Sequence, residues 1–133
     1  MPASSFVTGS AQETRADLEQ LQGAWTSVSG RHPIELLVAG NLFAVKFLSG
    51  KIYMGTVDLD AGERPKEMVM RIDEGPVKHK GKFAVCIYEL EGDTLRWCPT
   101  EPGSDDRLAD FPNIDDGRYL CTVFQRQRPP QPA

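Results

Sequence analysis

Tyr88-Glu89-Leu90-Glu91-Gly92-Asp93-Thr94-Leu95-Arg96-Trp97-Cys98 alternates apolar and polar side chains on either side of Gly92-Asp93, the pattern of a β-hairpin with a two-residue turn. Glycine in the first turn position suits a type II′ geometry, which needs a positive φ there. With that turn, Leu90 faces Leu95, Tyr88 faces Trp97 and Glu89 faces Arg96. Two apolar pairs share one face and an ion pair lies on the other, each contributing roughly 0.2–1 kcal/mol. A register slipped by one sets Glu89 against Leu95 and Tyr88 against Arg96, which is worse on both faces. The hairpin points to an antiparallel, all-β chain.

The same period of two continues outward in both directions. Strands are predicted at 24–29, 34–38, 42–48, 51–59, 67–72, 83–90, 94–98 and 118–125. The breaks carry turn chemistry: Gly30 to Pro33, Gly40-Asn41, Ser49-Gly50, Asp60-Ala61-Gly62, Asp73-Glu74-Gly75-Pro76 and Gly92-Asp93. Eight short strands with tight turns predict an up-and-down antiparallel meander. Closure into a barrel removes the edges that would otherwise invite aggregation. A two-sheet sandwich is the alternative architecture.

Ser10-Ala11-Gln12-Glu13 has capping-box spacing, and Leu18 and Leu21 follow at a helical interval, so a short helix is predicted over 13–21 and ended by Gly23. Residues 1–12 are small and polar, and 127–133 hold Pro129, Pro130 and Pro132. Both ends are read as disordered, leaving 13–126 as one barrel domain. The 99–117 connection is longer than an ordinary loop, and 107–111 is read as a short strand or helical turn inside it.

Composition narrows the classes of function. Of 133 residues, 40% are hydrophobic and 26% charged, with a formal net charge of −4. A soluble domain of this length buries a core without metals or staples. Nucleic acid is disfavoured as a partner, because phosphate binding needs a concentrated basic face. No apolar run approaches the ~20 residues that span a bilayer, and 1–12 lacks the basic and apolar regions of a signal peptide. Cys86, Cys98 and Cys121 cannot all pair within the chain and show no C-x-x-C spacing. They are read as buried free thiols in a reducing, cytoplasmic setting.

Catalysis has little support. His32 lies in a turn and His79 in a basic loop, and neither has a serine or cysteine that sequence places beside it. Strand cysteines such as Cys86 and Cys98 are usually buried and inert. A non-enzymatic protein without a cofactor is expected. Asp105, Asp106, Asp110, Asp115 and Asp116 lack the alternation and closing Glu of an EF-hand, so this loop is read as solvated and no metal site is predicted.

Three segments occur in a suggestive order. Leu21-Gln22-Gly23-Ala24-Trp25 comes first, then Leu59-Asp60 with Arg64-Pro65-Lys66, then Tyr88-x-Leu90-x-Gly92-Asp93-x-Leu95-x-x-Cys98. Together they resemble a family of lipocalin-like bacterial domains of no established function, over about 17–126. Gly23-Ala24-Trp25 resembles the Gly-x-Trp that lipocalins carry at their first strand. The resemblance implies an eight-stranded calycin-type barrel closed by a short N-terminal helix, and it implies no reaction. It further implies that Trp25 packs at the closed end beneath a basic side chain near the last strand, Arg126 or Arg118. Such a cation–π contact, roughly 0.5–2 kcal/mol, stabilises the fold rather than binding ligand. With Gly23 and Gly92, Trp25 and Arg126 are therefore expected to be structural. The long acidic connection around Asp105 to Asp116 departs from the family's short, Gly-rich last connection.

The apolar alternation sets the candidate interior: Trp25, Leu36, Val45, Phe47, Met54, Met68, Met70, Tyr88, Leu95, Trp97 and Tyr119. A wide barrel lined this way holds a small hydrophobic or amphipathic ligand. Val45, Phe47, Met54, Met68, Met70, Tyr88, Trp97 and Tyr119 are then its binding residues, and the methionines its adaptable walls. A narrower barrel is filled by the same side chains, and the protein is then an interaction or structural module that meets a protein partner through 99–117. Lys78-His79-Lys80-Gly81-Lys82 forms a basic rim. Lys78, Lys80 and Lys82 there either hold an anionic head group or, more plainly, keep the apolar 83–87 strand from edge pairing.

Overall fold

Each strand of the chain pairs antiparallel with the next, and the last returns to the first, so the sheet closes on itself as an up-and-down barrel. The computed structural model describes residues 2–113 and 118–127, with side chains from Ala11 onward. Helix α1 is Pro2–Leu21, followed by strands β1 Gly23–Ser29, β2 Ile34–Ala39, β3 Leu42–Phe47, β4 Ile52–Asp60, β5 Lys66–Glu74, β6 Phe83–Glu91, β7 Thr94–Pro99 and β8 Thr122–Arg126. This is the all-β, eight-stranded barrel with an N-terminal helix expected from the sequence, and it replaces the sandwich alternative. Among the described residues no helix is long and apolar enough to cross a membrane.

The β6–β7 hairpin has the register read from its side chains: Leu90↔Leu95, Tyr88↔Trp97 and Glu89↔Arg96. Gly92 has φ +58°, and no described non-glycine residue has a positive φ. That combination is a II′ turn, since I′ requires positive φ at both central positions.

Several boundaries differ from the sequence expectation. The helix begins at Pro2 rather than near residue 13, so it runs through the segment read as disordered, and the Ser10–Glu13 spacing falls inside it instead of at its start. Pro2 suits a first helical position, where its missing N–H is not needed. Residues 107–111 form neither strand nor helix, and β8 starts at Thr122 rather than 118. The Pro-rich end lies outside the described residues from 128 onward.

Inward-facing side chains of all eight strands form one core that includes Trp25, Leu36, Val45, Met68, Tyr88, Leu95, Trp97 and Phe124. Burying each such side chain contributes roughly 1.5–3 kcal/mol. Two sequence expectations are corrected. Met54 is 48% exposed, because the inward phase of β4 is Tyr53, Gly55, Val57 and Leu59. Tyr119 packs outside the barrel wall, in a separate cluster with Ile87, Leu108 and Phe111. There the long β7–β8 connection folds back over β6 and β7, with the Arg96 guanidinium 4.2 Å above the Phe111 ring.

The cysteine expectation is also corrected. Cys98 and Cys121 form a disulfide with a Cα–Cα separation of 4.3 Å, leaving Cys86 as the free thiol. Pairing of β7 with β8 explains it: Trp97 lies opposite Thr122, so one step further along the antiparallel pair brings Cys98 beside Cys121. The bridge closes the long connection at its base, worth about 3 kcal/mol on a chain-entropy view.

One end of the barrel is tied shut by α1 and its flanks. Gln22 exchanges two hydrogen bonds with the backbone of Gly40, and Thr14 accepts one from Ala61 N–H. Arg126 donates to Asp93 (2.9 Å) and to the carbonyls of Gln20 and Gln22. Its guanidinium lies 4.3 Å from the Trp25 ring centroid, while Trp25 Nε1–H donates to Leu21 O. A Cβ on Gly23 (φ +114°) would sit 3.5 Å from that guanidinium. Arg118 lies instead over Tyr119.

Candidate functional site

The α1 end of the barrel interior is filled by Trp25, Met68, Tyr88, Leu95 and Phe124, all fully buried. Toward the opposite end β6 presents only the methyl group of Ala84, and space opens. The resulting cavity is about 100 Å³. Its walls are Phe43, Val45 and Phe47 from β3, Tyr53 from β4, Met70 and Ile72 from β5, Ala84 from β6 and Trp97 from β7. Pro99, Thr100, Pro102 and Leu120, from the two ends of the long connection, complete it. A larger hollow of about 310 Å³ lies between the β1–β2 and β3–β4 turns. It is lined partly by exposed Glu35, Lys46 and Leu48, so it is a surface groove rather than an interior site.

Polar groups meet at the lip. The Tyr53 hydroxyl lies 2.9 Å from His79 Nδ1, and the Tyr53 ring packs against Phe47 with centroids 5.8 Å apart. Burial, and then the negative charge of Glu101, push the Tyr53 phenol above its ordinary pKa, so it stays protonated. On the other side of the imidazole, His79 Nε2 is buried without a hydrogen-bond partner, 3.6 Å from a Glu101 carboxylate oxygen. The β5–β6 loop that carries His79 is a compact turn, held by His79 N–H to Pro76 O and Gly81 N–H to Ile72 O.

Of the sequence-predicted ligand residues, Val45, Phe47, Met70 and Trp97 line the cavity. Met68 and Tyr88 lie in the filled half, where the Tyr88 hydroxyl donates to Asp17 (2.8 Å). Met54 and Tyr119 are outside. Lys78, Lys80 and Lys82 are exposed on the rim beside His79, with Lys80 3.6 Å from Glu74 and the Lys82 stem against Gly103. Sequence reasoning missed Phe43, Tyr53, Ile72, Ala84, Leu120 and the 99–102 segment. A period of two anchored on Val57 and Leu59 would have found Tyr53; nothing local marks the 99–102 segment.

The remaining thiol is inert. Cys86 is fully buried beside Trp97, and burial drives its pKa up to about 12 although the neighbouring Trp97 N–H and Thr100 backbone pull the other way. Trp97 Nε1 has no hydrogen-bond acceptor of its own, so the soft sulfur beside it is a weak substitute. Among the described residues no three His, Cys, Asp or Glu side chains gather at metal-ligand spacing.

In comparison with known proteins, the chain matches no family model, no curated protein and no solved structure. The barrel topology is compatible with a calycin-like fold, and that likeness rests on strand order alone.

Proposed function

We propose that the protein is a non-enzymatic binding protein that takes the apolar part of a small hydrophobic or amphipathic ligand into the open end of the barrel. The supporting observation is the cavity itself: about 100 Å³ of space walled by apolar side chains in a barrel otherwise filled. Drug-sized ligands occupy roughly 300–1,000 Å³, and a dry cavity of about 150 Å³ accepts benzene. At about 100 Å³ the space is smaller than that, so it takes a short branched chain or one edge of a single ring, the rest lying in the open mouth, and not a fatty acid or haem. The Cys98–Cys121 disulfide favours an oxidising compartment over the cytoplasmic one expected from free thiols.

A thermal-denaturation screen with toluene, benzyl alcohol and short branched alcohols tests the reading. Saturable stabilisation is expected, about 2.7 kcal/mol at a hundredfold excess over Kd. It should vanish in Ala84→Leu, whose added bulk fills the cavity. No saturable response from any compound would favour the second reading, a protein-interaction or structural module with a filled core. That reading draws support from an outward row across β1–β4, in which Ala24 pairs with Leu37, Leu37 with Ala44 and Ala44 with Met54, with Leu37 and Met54 exposed.

A further inference from the structure

His79 backs the Tyr53 phenol at the cavity lip, and its two nitrogens are not equivalent. Its side chain is only 11% exposed. Nδ1 meets the protonated Tyr53 hydroxyl. A phenol that donates to Nδ1 leaves the ring proton on Nε2. Nε2 is buried and has no hydrogen-bond partner; with the ring proton there it is an unsatisfied buried donor, which is unfavourable. The group facing it is a carboxylate, Glu101, which stops at 3.6 Å and is itself 74% exposed. Glu101 thus stands where an acceptor is needed without making the bond. Its chain neighbours, Thr100 and Pro102, line the cavity, as does Tyr53, the partner of the other ring nitrogen, so the Nε2 position lies between residues of the cavity wall.

The surroundings are cationic as well. Lys78 and Lys82 are exposed on the same loop and form no ion pair among the described residues, whereas Lys80 is engaged with Glu74. Asp105 and Asp106 lie further along the β7–β8 connection and are exposed.

We infer that the cavity's ligand is a small monocarboxylate with a branched-aliphatic or single-ring body, and that its carboxylate displaces Glu101 from His79 Nε2. The inference rests on the binding reading above and names the ligand class for the same site. The apolar body fills the space beside Met70, Ile72 and Trp97. The carboxylate takes a charge-assisted bond from His79, stronger than a neutral one, and Glu101 swings into water.

Calorimetric titration of the whole chain with benzoate and isovalerate, beside neutral benzyl alcohol, tests this. Benzoate is expected to bind about tenfold more tightly than benzyl alcohol. His79→Gln should cut that preference severalfold, lowering benzoate affinity far more than benzyl alcohol affinity. Tyr53→Phe, which frees the ring tautomer, should weaken the preference and serves if His79→Gln does not fold. Glu101→Gln should raise benzoate affinity several-fold, and the gain should disappear in a His79→Gln background, as a double-mutant cycle would show. Equal affinity for benzoate and benzyl alcohol overturns the inference but leaves the binding reading intact. So does a Glu101→Gln gain that persists without His79, since this would be mere relief of charge repulsion. If benzyl alcohol also fails to bind the folded protein, the binding reading falls and this inference with it.

Discussion

Asp17 fastens the helix to the barrel. Its carboxylate accepts hydrogen bonds from the Tyr88 hydroxyl at 2.8 Å and from Lys66 Nζ at 2.9 Å, and Lys66 also reaches Glu13 at 3.2 Å. Burial by itself would lower the Lys66 pKa, but the two carboxylates more than offset it and hold it raised. Asp17→Asn should therefore cost about 1–3 kcal/mol in urea denaturation, because it leaves a partly buried ammonium without its closest counter-charge. Tyr88→Phe removes a neutral donor and should cost less, about 0.5–1.5 kcal/mol. An unchanged midpoint for Asp17→Asn would show that α1 docks through its apolar face alone. Asp17 was not legible in the sequence. Its hydrogen-bond partner Tyr88 is 71 residues away, and a lone acid on a helix looks like any solvated one.

At the scale of the element, the β4–β5 pair shows how one irregularity shapes the barrel wall. Met54 pairs with Glu74 and Gly55 with Ile72, so Asp73 is an extra residue on β5, a bulge that bends β5 toward its partner. Gly55 faces the bend. A Cβ there would fall 1.7 Å from the carbonyl oxygen of Arg71, and that neighbour is backbone, which cannot rotate away. Gly55→Ala is expected to cost about 2–4 kcal/mol. Gly40→Ala, at an open turn with φ +63° and no atom within 4 Å, should cost about 1 kcal/mol or less than Gly55→Ala. Comparable melting temperatures for the two variants would argue against the bulge. The sequence reading of β4 put Met54 inward because it weighed hydrophobicity over phase, whereas Val57 and Leu59 set the phase. The β6–β7 hairpin was legible to the residue because its turn type and both faces agree on one register.

For the whole molecule, four groups are held protonated by the fold: the Cys86 thiol, the Tyr53 and Tyr88 phenols and the Lys66 ammonium. Burial drives the thiol and both phenols up, Glu101 adds to the effect on Tyr53 and Asp17 to that on Tyr88, and Asp17 and Glu13 raise Lys66. An unfolded cysteine releases its proton near pH ~8.5, while folded Cys86 keeps it until about 12. Between those values the native state binds more protons than the unfolded one, so stability falls as pH rises. Each pH unit should remove up to ~1.4 kcal/mol through Cys86. Above ~10, Tyr53, Tyr88 and Lys66 act in the same direction. Denaturation midpoints at pH 7, 9 and 10 should decline in the parent and stay flat between 7 and 9 in Cys86→Ala. A parent that is equally stable at pH 7 and 9 would count against a protonated, buried Cys86.

Local pattern by itself determined much of this protein: eight strands, the order of their turns, the register of the β6–β7 hairpin and most of the inward face. Those features depend on residues a few positions apart, where a period of two and a turn glycine suffice. Only the tertiary structure decided the Cys98–Cys121 bridge, the Asp17 lock, the meeting of Tyr53, His79 and Glu101, and the size of the cavity. Each of these needs segments far apart in sequence to meet. Strand pairing sets β7 beside β8 and brings the β5–β6 loop against the 99–103 segment, and closure of the barrel fixes how much volume remains once large side chains fill one end. Alternation specifies which way a side chain points, and the volume enclosed depends on how all eight strands pack together.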